Sequence, residues 1–260
     1  MPETPSILST KILDDAGRSF ARAKGWRLWE ESFIETTPLF RSSVPKDEEH
    51  WKNIFSGIDD QTLVIFTSEN GVQSVPYSLA PTFSPGDRLP EGHPELWQIA
   101  CLSGKTLRKV ESRFREKQVV LHAKNATGLA SATIADGRFR RAFFFCALEH
   151  RSELPQALRA AGIELKEVPV YRTTGLAKVI KETFDGVLFF SPSAVASFFS
   201  VNKLKPGAVC FAIGETTAAS IKDFTNERII ISTEPSQKTL LDSVQFYYDN
   251  QQLKNDPTKK

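Results

Sequence analysis

The sequence predicts an α/β protein of two similar doubly wound parallel-sheet domains joined by a two-stranded linker, the first domain discontinuous in the chain. Three observations predict it. First, the chain repeats itself. Gly25 precedes Leu28, Phe33, Thr36 and Thr37, and Gly162 precedes Leu165, Val170, Thr173 and Thr174, at a constant shift of 137 (162 − 25) that also sets Arg22 over Arg159. Val64-Ile65-Phe66-Thr67-Ser68 matches Val187-Leu188-Phe189-Phe190-Ser191, and Leu102-Ser103-Gly104-Lys105-Thr106 matches Ile213-Gly214-Glu215-Thr216-Thr217, Gly104 lying over Gly214. Two copies are too few for a solenoid, so two related lobes are expected. Second, short apolar runs alternate with helix-length segments, which means parallel sheets covered on both faces. Third, the unit at 6–26 matches the last unit of the middle block, 143–163, and not its first. The N-terminal strand and helix therefore complete the C-terminal lobe's sheet. Domain 1 is 1–35 with 173–260, domain 2 is 36–172, and the linker strands lie at about 33–38 and 167–173.

Each element follows from local signals. Ser6–Thr10 reads as a short strand, and Asp14 or Asp15 caps a helix that Gly25 ends. Arg27–Pro38 is extended; Lys46–Ser56 carries Trp51, Ile54 and Phe55 at helical spacing. Thr62–Thr67 is apolar and β-branched without polar alternation, a strand buried on both sides, and Ser68 starts the next helix. Pro76–Pro94, with five prolines, is an irregular loop. Trp97–Leu102, Gln118–His122 and Arg141–Ala147 are strands; Lys105–Phe114 and Thr127–Ala135 are helices; Ser152 caps a helix over Leu154–Ala161. Glu164–Thr174 is extended again. Helices at Leu176–Thr183, Ser193–Ser200, Thr216–Lys222 and Gln237–Tyr248 alternate with strands at Gly186–Phe190, Ala208–Ile213 and Arg228–Ile231, before a polar tail at 255–260.

Composition narrows the function classes. A net charge of +2 does not announce a nucleic-acid binder, and no apolar run approaches the length of a membrane span. Met-Pro-Glu-Thr-Pro is no secretory leader, and Cys101, Cys146 and Cys210 sit in apolar segments as reduced core thiols, so a cytoplasmic monomer is expected. The histidines, His50, His93, His122 and His150, are scattered without metal-ligand spacing, and no metal is expected. No G-x-G-x-x-G follows a strand, and Ser103-Gly104-Lys105-Thr106 lacks the upstream glycine of a phosphate loop.

Ligands of doubly wound sheets sit beyond the carboxyl ends of the strands, where helix N-termini offer N–H groups. Here those turns hold Ser68, Asn70 and Gly71; Gly104, Lys105 and Thr106; Asn125 and Thr127; Ser191 and Ser193; Gly214, Thr216 and Thr217; and Glu234-Pro235-Ser236. Capping accounts for any one of them. Six together form a basin of backbone donors suited to carboxylates or phosphates. Lys11, Lys105, Lys124 and Arg172 could neutralise such anions, or be ordinary surface charge. Tyr171, on the second crossing, is either a packed strand tyrosine or a phenol able to hydrogen-bond a leaving hydroxyl.

Taken together, Phe66-Thr67-Ser68-Glu69-Asn70-Gly71-Val72, Leu154-Pro155 through Gly162 to Val170-Tyr171-Arg172-Thr173, Phe190-Ser191-Pro192-Ser193-Ala194-Val195, Ala212-Ile213-Gly214-Glu215-Thr216-Thr217-Ala218 and Thr233-Glu234-Pro235-Ser236 resemble uroporphyrinogen-III synthases. The first strand departs from that family's usual Thr-Arg-Pro ending, reading Thr10-Lys11-Ile12. The resemblance implies a small-molecule linear tetrapyrrole substrate, hydroxymethylbilane, and no cofactor. It implies closure to uroporphyrinogen III with inversion of the last ring, through loss of water, an azafulvene and a spiro intermediate. It further implies that Tyr171 assists departure of the hydroxyl, that Ser68, Ser191 and Ser193 line a cleft, and that Thr127 and Thr217 bind substrate carboxylates. The alternatives are a non-catalytic two-lobed ligand-binding or sensor protein and, behind it, a nucleotide-dependent transferase.

Overall fold

The computed structural model describes residues 4–40, 45–77 and 93–255. In chain order the first elements are β1 (Ser6–Ser9), α1 (Asp15–Ala23), β2 (Arg27–Glu30), β3 (Ile34–Pro38), α2 (Pro45–Ser56), β4 (Thr62–Phe66) and α3 (Glu69–Ser74). There follow β5 (Gln98–Leu102), α4 (Lys105–Glu111), β6 (Val119–Ala123), α5 (Ala126–Asp136), β7 (Arg141–Ala147), α6 (Glu153–Ala160) and β8 (Glu164–Gly175). The last are β9 (Gly186–Phe189), α7 (Pro192–Phe199), β10 (Val209–Ala212), α8 (Glu215–Lys222), β11 (Arg228–Ile231) and α9 (Gln237–Asn255). Two compact units result, one of Met1–Glu35 with Thr174–Lys260 and the other of Thr36–Thr173.

The first unit has a five-stranded sheet in the order β11-β10-β9-β1-β2, all four pairings parallel. The second has six strands in the order β3-β8-β7-β4-β5-β6. Numbered from β9 and from β4, with β1 and β2 counted after β11 and the edge strand β3 set aside, both sheets read 5-4-1-2-3. The topology is the same twice over, and the N-terminal strand completes the C-terminal sheet as the repeat requires. β3 and β8 run in opposite directions as the two connecting strands, with Leu39 N–H donating to Val170 O at 3.0 Å and Leu176 N–H to Phe33 O at 2.8 Å.

The central strands β4, β9 and β10 are apolar but for Thr62 because helices cover both of their faces. Thr62–Phe66, Gly186–Phe189 and Val209–Ala212 are wholly buried. In the second unit Val64, Phe66, Ile99, Phe143 and Phe145 face α2, α3 and α4, through Trp51, Ile54, Val72 and Val110. Leu63, Ile65, Ala100, Phe144 and Cys146 face α5 and α6, through Leu129, Leu154 and Leu158. Trp51 and Trp97 stack on Phe145 with ring centroids 6.0 and 5.7 Å away. In the first unit α7 and α8 cover one face and α1 and α9 the other. Gly25 and Gly162, which end α1 and α6, both take positive φ (70° and 80°), where a side chain would be strained.

Some local expectations change. No helix forms over Leu176–Thr183, because its backbone groups are satisfied by side chains elsewhere. Asn202 accepts from Ile180 N–H at 2.8 Å and donates to Lys178 O at 2.8 Å, and Ser197 Oγ donates to Leu176 O at 2.8 Å. The cap of α1 is Asp14, which accepts from Gly17 N–H. Ser152 occupies the cap position of α6 in a helical conformation and makes no side-chain capping bond. α4 stops at Glu111, and α9 runs on to Asn255. Most of the proline-rich loop, 78–92, and the tail at 256–260 lie outside the described residues. All three cysteines are buried and unbridged, and burial pushes each thiol up to about 12. No helix among the described residues is long and apolar enough to cross a membrane.

The start of β1 is fixed to β9 by Asp185, whose carboxylate accepts from the Ser6 N–H and hydroxyl, both at 2.7 Å, and from Lys205 Nζ at 2.5 Å. Burial opposes its charge, but the ammonium and the two Ser6 donors outweigh that and bring the pKa from 3.8 down to about 2. A depressed folded pKa means stability that is present above the ordinary value and lost as pH falls towards 2. Urea unfolding followed between pH 6 and 2.5 is expected to show an acid-labile component in the wild type that Asp185→Asn flattens, with the variant already less stable at neutral pH.

Candidate functional site

Parallel pairing places every carboxyl end of β4, β5, β6 and β7 on one edge of the second sheet. Ser68, Asn70, Gly71, Gly104, Lys105, Thr106, Asn125 and Thr127 gather there because each follows one of those strands. Three cap positions differ in chemistry. Ser68 Oγ accepts from Gly71 N–H at 3.0 Å, and Asn125 Oδ1 from Gly128 N–H at 2.8 Å. Gly104 has no side chain to cap α4, so the first N–H groups of that helix gain no such partner. Lys105, Asn125 and Thr127 are exposed, whereas Thr106 and Gly71 are buried. A Cβ on Gly71 would stand 3.0 Å from the Phe145 carbonyl oxygen, so glycine lets α3 approach β7.

The first unit gathers its own set at the equivalent strand ends. Ser191 caps α7, accepting from Ala194 N–H at 3.1 Å, with Ser193 exposed beyond it. Gly214 starts α8 without a side-chain cap, Thr216 is exposed, and Thr217 is buried with its N–H donating to Gly214 O at 3.1 Å. Lys11 follows β1 with its ammonium 5.9 Å from the centre of the Phe190 ring. Lys124 and Arg172 are exposed.

Tyr171 owes its direction to a register shift. β7 and β8 pair residue for residue up to Cys146↔Pro169 and then jump to Ala147↔Tyr171. Pro169 has no N–H to give the ladder, and such positions suit a bulge. Leu165 lies with the cluster facing α5 and α6, but beyond the shift Tyr171 joins Val168 and Val170 in the cluster facing α2, α3 and α4. Bulges re-aim side chains in this way. The phenol is 9% exposed and its oxygen lies 2.9 Å from Ser68 Oγ. Burial raises its pKa, Ser68 partly offsets that, and the group stays a neutral O–H through the physiological range.

One pair escaped the sequence reading. His122 Nδ1 lies 3.1 Å from Ser103 Oγ, both beside Gly104 at the ends of β5 and β6. The signal was there in the strand order, which sets the residue after β5 against the end of β6. A groove of about 830 Å³ between β11 and α9, lined by Arg228, Ile230, Phe246 and Tyr247, runs along the flank of the first sheet instead of across its strand ends.

The two aligned glycines are not equivalent. Gly104 has φ 81° and ψ −125°, a region closed to other residues, whereas Gly214 has φ −179° and ψ 174° and could carry a side chain. Neither Cβ would meet an atom within 4 Å. Gly104→Ala is therefore expected to cost about 1–3 kcal/mol through backbone strain. Gly214→Ala should cost less than about 1 kcal/mol, the scale of a cap change. Chemical denaturation of the two variants measures the contrast.

The model of the family described as Uroporphyrinogen-III synthase HemD matches residues 18–242. Among solved structures, uroporphyrinogen-III synthetase from Helicobacter pylori aligns with a TM-score of 0.61 at 16% identity, covering 94% of this chain and 100% of its own. A mutant uroporphyrinogen III synthase from the extremely thermophilic bacterium Thermus thermophilus aligns at 0.59 and 14% identity, covering 95% and 100%. Among curated proteins none matches. At such identities the structures speak for the fold, and the family match over most of the chain speaks for descent: this chain belongs to the uroporphyrinogen-III synthase family.

Proposed function

We propose that the chain is a uroporphyrinogen-III synthase that closes hydroxymethylbilane to uroporphyrinogen III, inverting ring D with loss of water through a spiro intermediate. The family match carries this reading. The residues support it in physical terms. The substrate bears an acetate and a propionate on each ring and cyclises unaided to the unrearranged isomer, so the protein's task is to fold and hold it. Strand-end turns with glycine, serine and asparagine at the helix starts offer N–H donors to carboxylates, and Lys11, Lys105 and Arg172 add charge. Holding a reactive chain in one geometry is catalysis by orientation.

Tyr171 serves the step in which the bond from the hydroxymethyl carbon to oxygen breaks. Gly71 N–H donates to Ser68 Oγ, which leaves the serine hydrogen for the phenol oxygen and the phenol hydrogen for the departing hydroxyl. Oxygen leaves with the electron pair, takes the phenol proton and is released as water; the pyrrole nitrogen supplies the electrons and gives up its N–H proton, which restores the phenol and leaves the neutral azafulvene. A neutral phenol suits this donation, and the reading calls for no metal or cofactor.

The decisive assay incubates the purified chain with freshly generated hydroxymethylbilane and separates the type I and type III isomers. Excess type III supports the synthase; a mixture equal to the enzyme-free control overturns it in favour of a two-lobed binder. Tyr171→Phe is expected to lower turnover by about a hundredfold, the lower end of the range for a positioned acid, in a protein that remains folded. Full turnover in that variant would remove the phenol from the mechanism.

A further inference from the structure

The second unit holds a side-chain cluster that the tetrapyrrole chemistry does not use. Cys146 near the end of β7, His150 in the turn after it and Glu167 on β8 bring a sulfur, a ring nitrogen and a carboxylate oxygen within 4.8 Å of one another. Cys146 is 2% exposed and lies with the α5 and α6 face, across the sheet from the cluster that holds Tyr171. His150 packs edge-on against Phe144 at 5.3 Å, which fixes its ring.

The polarity of the cluster is unbalanced. His150 Nδ1 lies 3.0 Å from the Ala147 carbonyl oxygen, and Nε2 lies 2.5 Å from Glu167 Oε2. Both neighbours are acceptors, and a neutral imidazole has one N–H to give. With that hydrogen on Nδ1, the Nε2 lone pair and a carboxylate lone pair converge on one point beside a thiol. A second proton on the ring or a divalent cation resolves the convergence, and only the cation also engages the thiol.

The outer contacts of a metal centre are already in place. Ligating histidines generally give their second N–H to a carbonyl or carboxylate, and ligating carboxylates are themselves held by hydrogen bonds. Ala147 O takes that part for His150, and Arg159 pairs with the other oxygen of Glu167. The repeat supplies an internal comparison. Glu30 is the counterpart of Glu167 (167 − 137), and it is satisfied by Leu13 N–H at 2.6 Å and Arg18 Nε at 2.9 Å. At the positions of Cys146 and His150 that unit has Ser9 and Leu13. The second unit thus places two metal-ligating side chains around a carboxylate that its sibling closes with ordinary donors.

We propose that Cys146, His150 and Glu167 form a zinc site on the β7–β8 edge of the second unit, with one position left for water. Sulfur, imidazole and carboxylate together select zinc over magnesium or calcium. A thiolate and a carboxylate balance the charge of the divalent ion, and His150 and Glu167 keep 20% and 25% side-chain exposure as an entry path. The ion clamps the turn before α6 to β8.

The test uses the full chain, freed of metal with a chelator and titrated with Co²⁺ and then Zn²⁺. A thiolate-to-cobalt charge-transfer band saturating near one equivalent, bleached by Zn²⁺, together with a rise in unfolding temperature, is the expected result. His150→Gln, a partly exposed change that leaves the core intact, should weaken the metal at least tenfold, and Cys146→Ser should remove the band. Cys101→Ser should keep it. Absence of the band in the wild type, equal affinity in His150→Gln, or a pH-dependent His150 signal in a chain that takes up no metal each overturns the site.

Discussion

The rest of the structure depends on β1 entering the sheet between β2 and β9. Ile7 and Leu8 are fully buried, each worth roughly 1.5–3 kcal/mol against exposure, and β1 is bonded on both edges, so without it the sheet falls into two pieces. Thr10 extends the seam, its N–H and hydroxyl both reaching Leu188 O at 3.0 and 2.7 Å. A strand from the start of the chain at that position commits the polypeptide to leave the first unit after β2, build the second, and return. The paired linker strands β3 and β8 are a consequence of that one insertion.

Identical topology does not give identical chemistry. The shift of 137 that aligns the units sets Ile34 and Glu35 where Tyr171 and Arg172 stand. The phenol and its adjacent cation therefore belong to the return crossing alone. The caps diverge likewise: Gly104 and Gly214 open equivalent helices, yet only the former needs glycine for its backbone. The two sets of strand-end turns share a topology and differ in the side chains they carry.

Much of this was legible in the chain because it is local or periodic. Buried strands showed as continuous apolar runs, Ser68, Asn125 and Ser191 showed as caps, and the permuted repeat put the N-terminal strand in the C-terminal sheet. What stayed hidden needs partners distant in sequence. The expected helix over Leu176–Thr183 was undone by Asn202 and Ser197, whose side chains claim backbone groups there. The burial of Thr106 and Thr217 depends on how their helices pack. Tyr171 meets Ser68 across 103 residues, and Glu167 reaches His150 only through the β7–β8 register. A scatter of four histidines concealed one with a cysteine and a glutamate beside it.

Pro169 lies between the two side chains of β8 for which roles are proposed, Glu167 and Tyr171. Up to that residue the strand keeps strict register with β7, and Glu167 turns towards Cys146 and His150. After it the ladder skips a residue and Tyr171 turns to the opposite face, against Ser68. Five residues, 167–171, thus carry a carboxylate and a phenol to different sides of one sheet. Since a bulge re-aims the side chains beyond it, the register shift after Pro169 sets the aim of the phenol. The covalent stiffness of proline and its missing ladder donor both act at the shift that places a single oxygen atom.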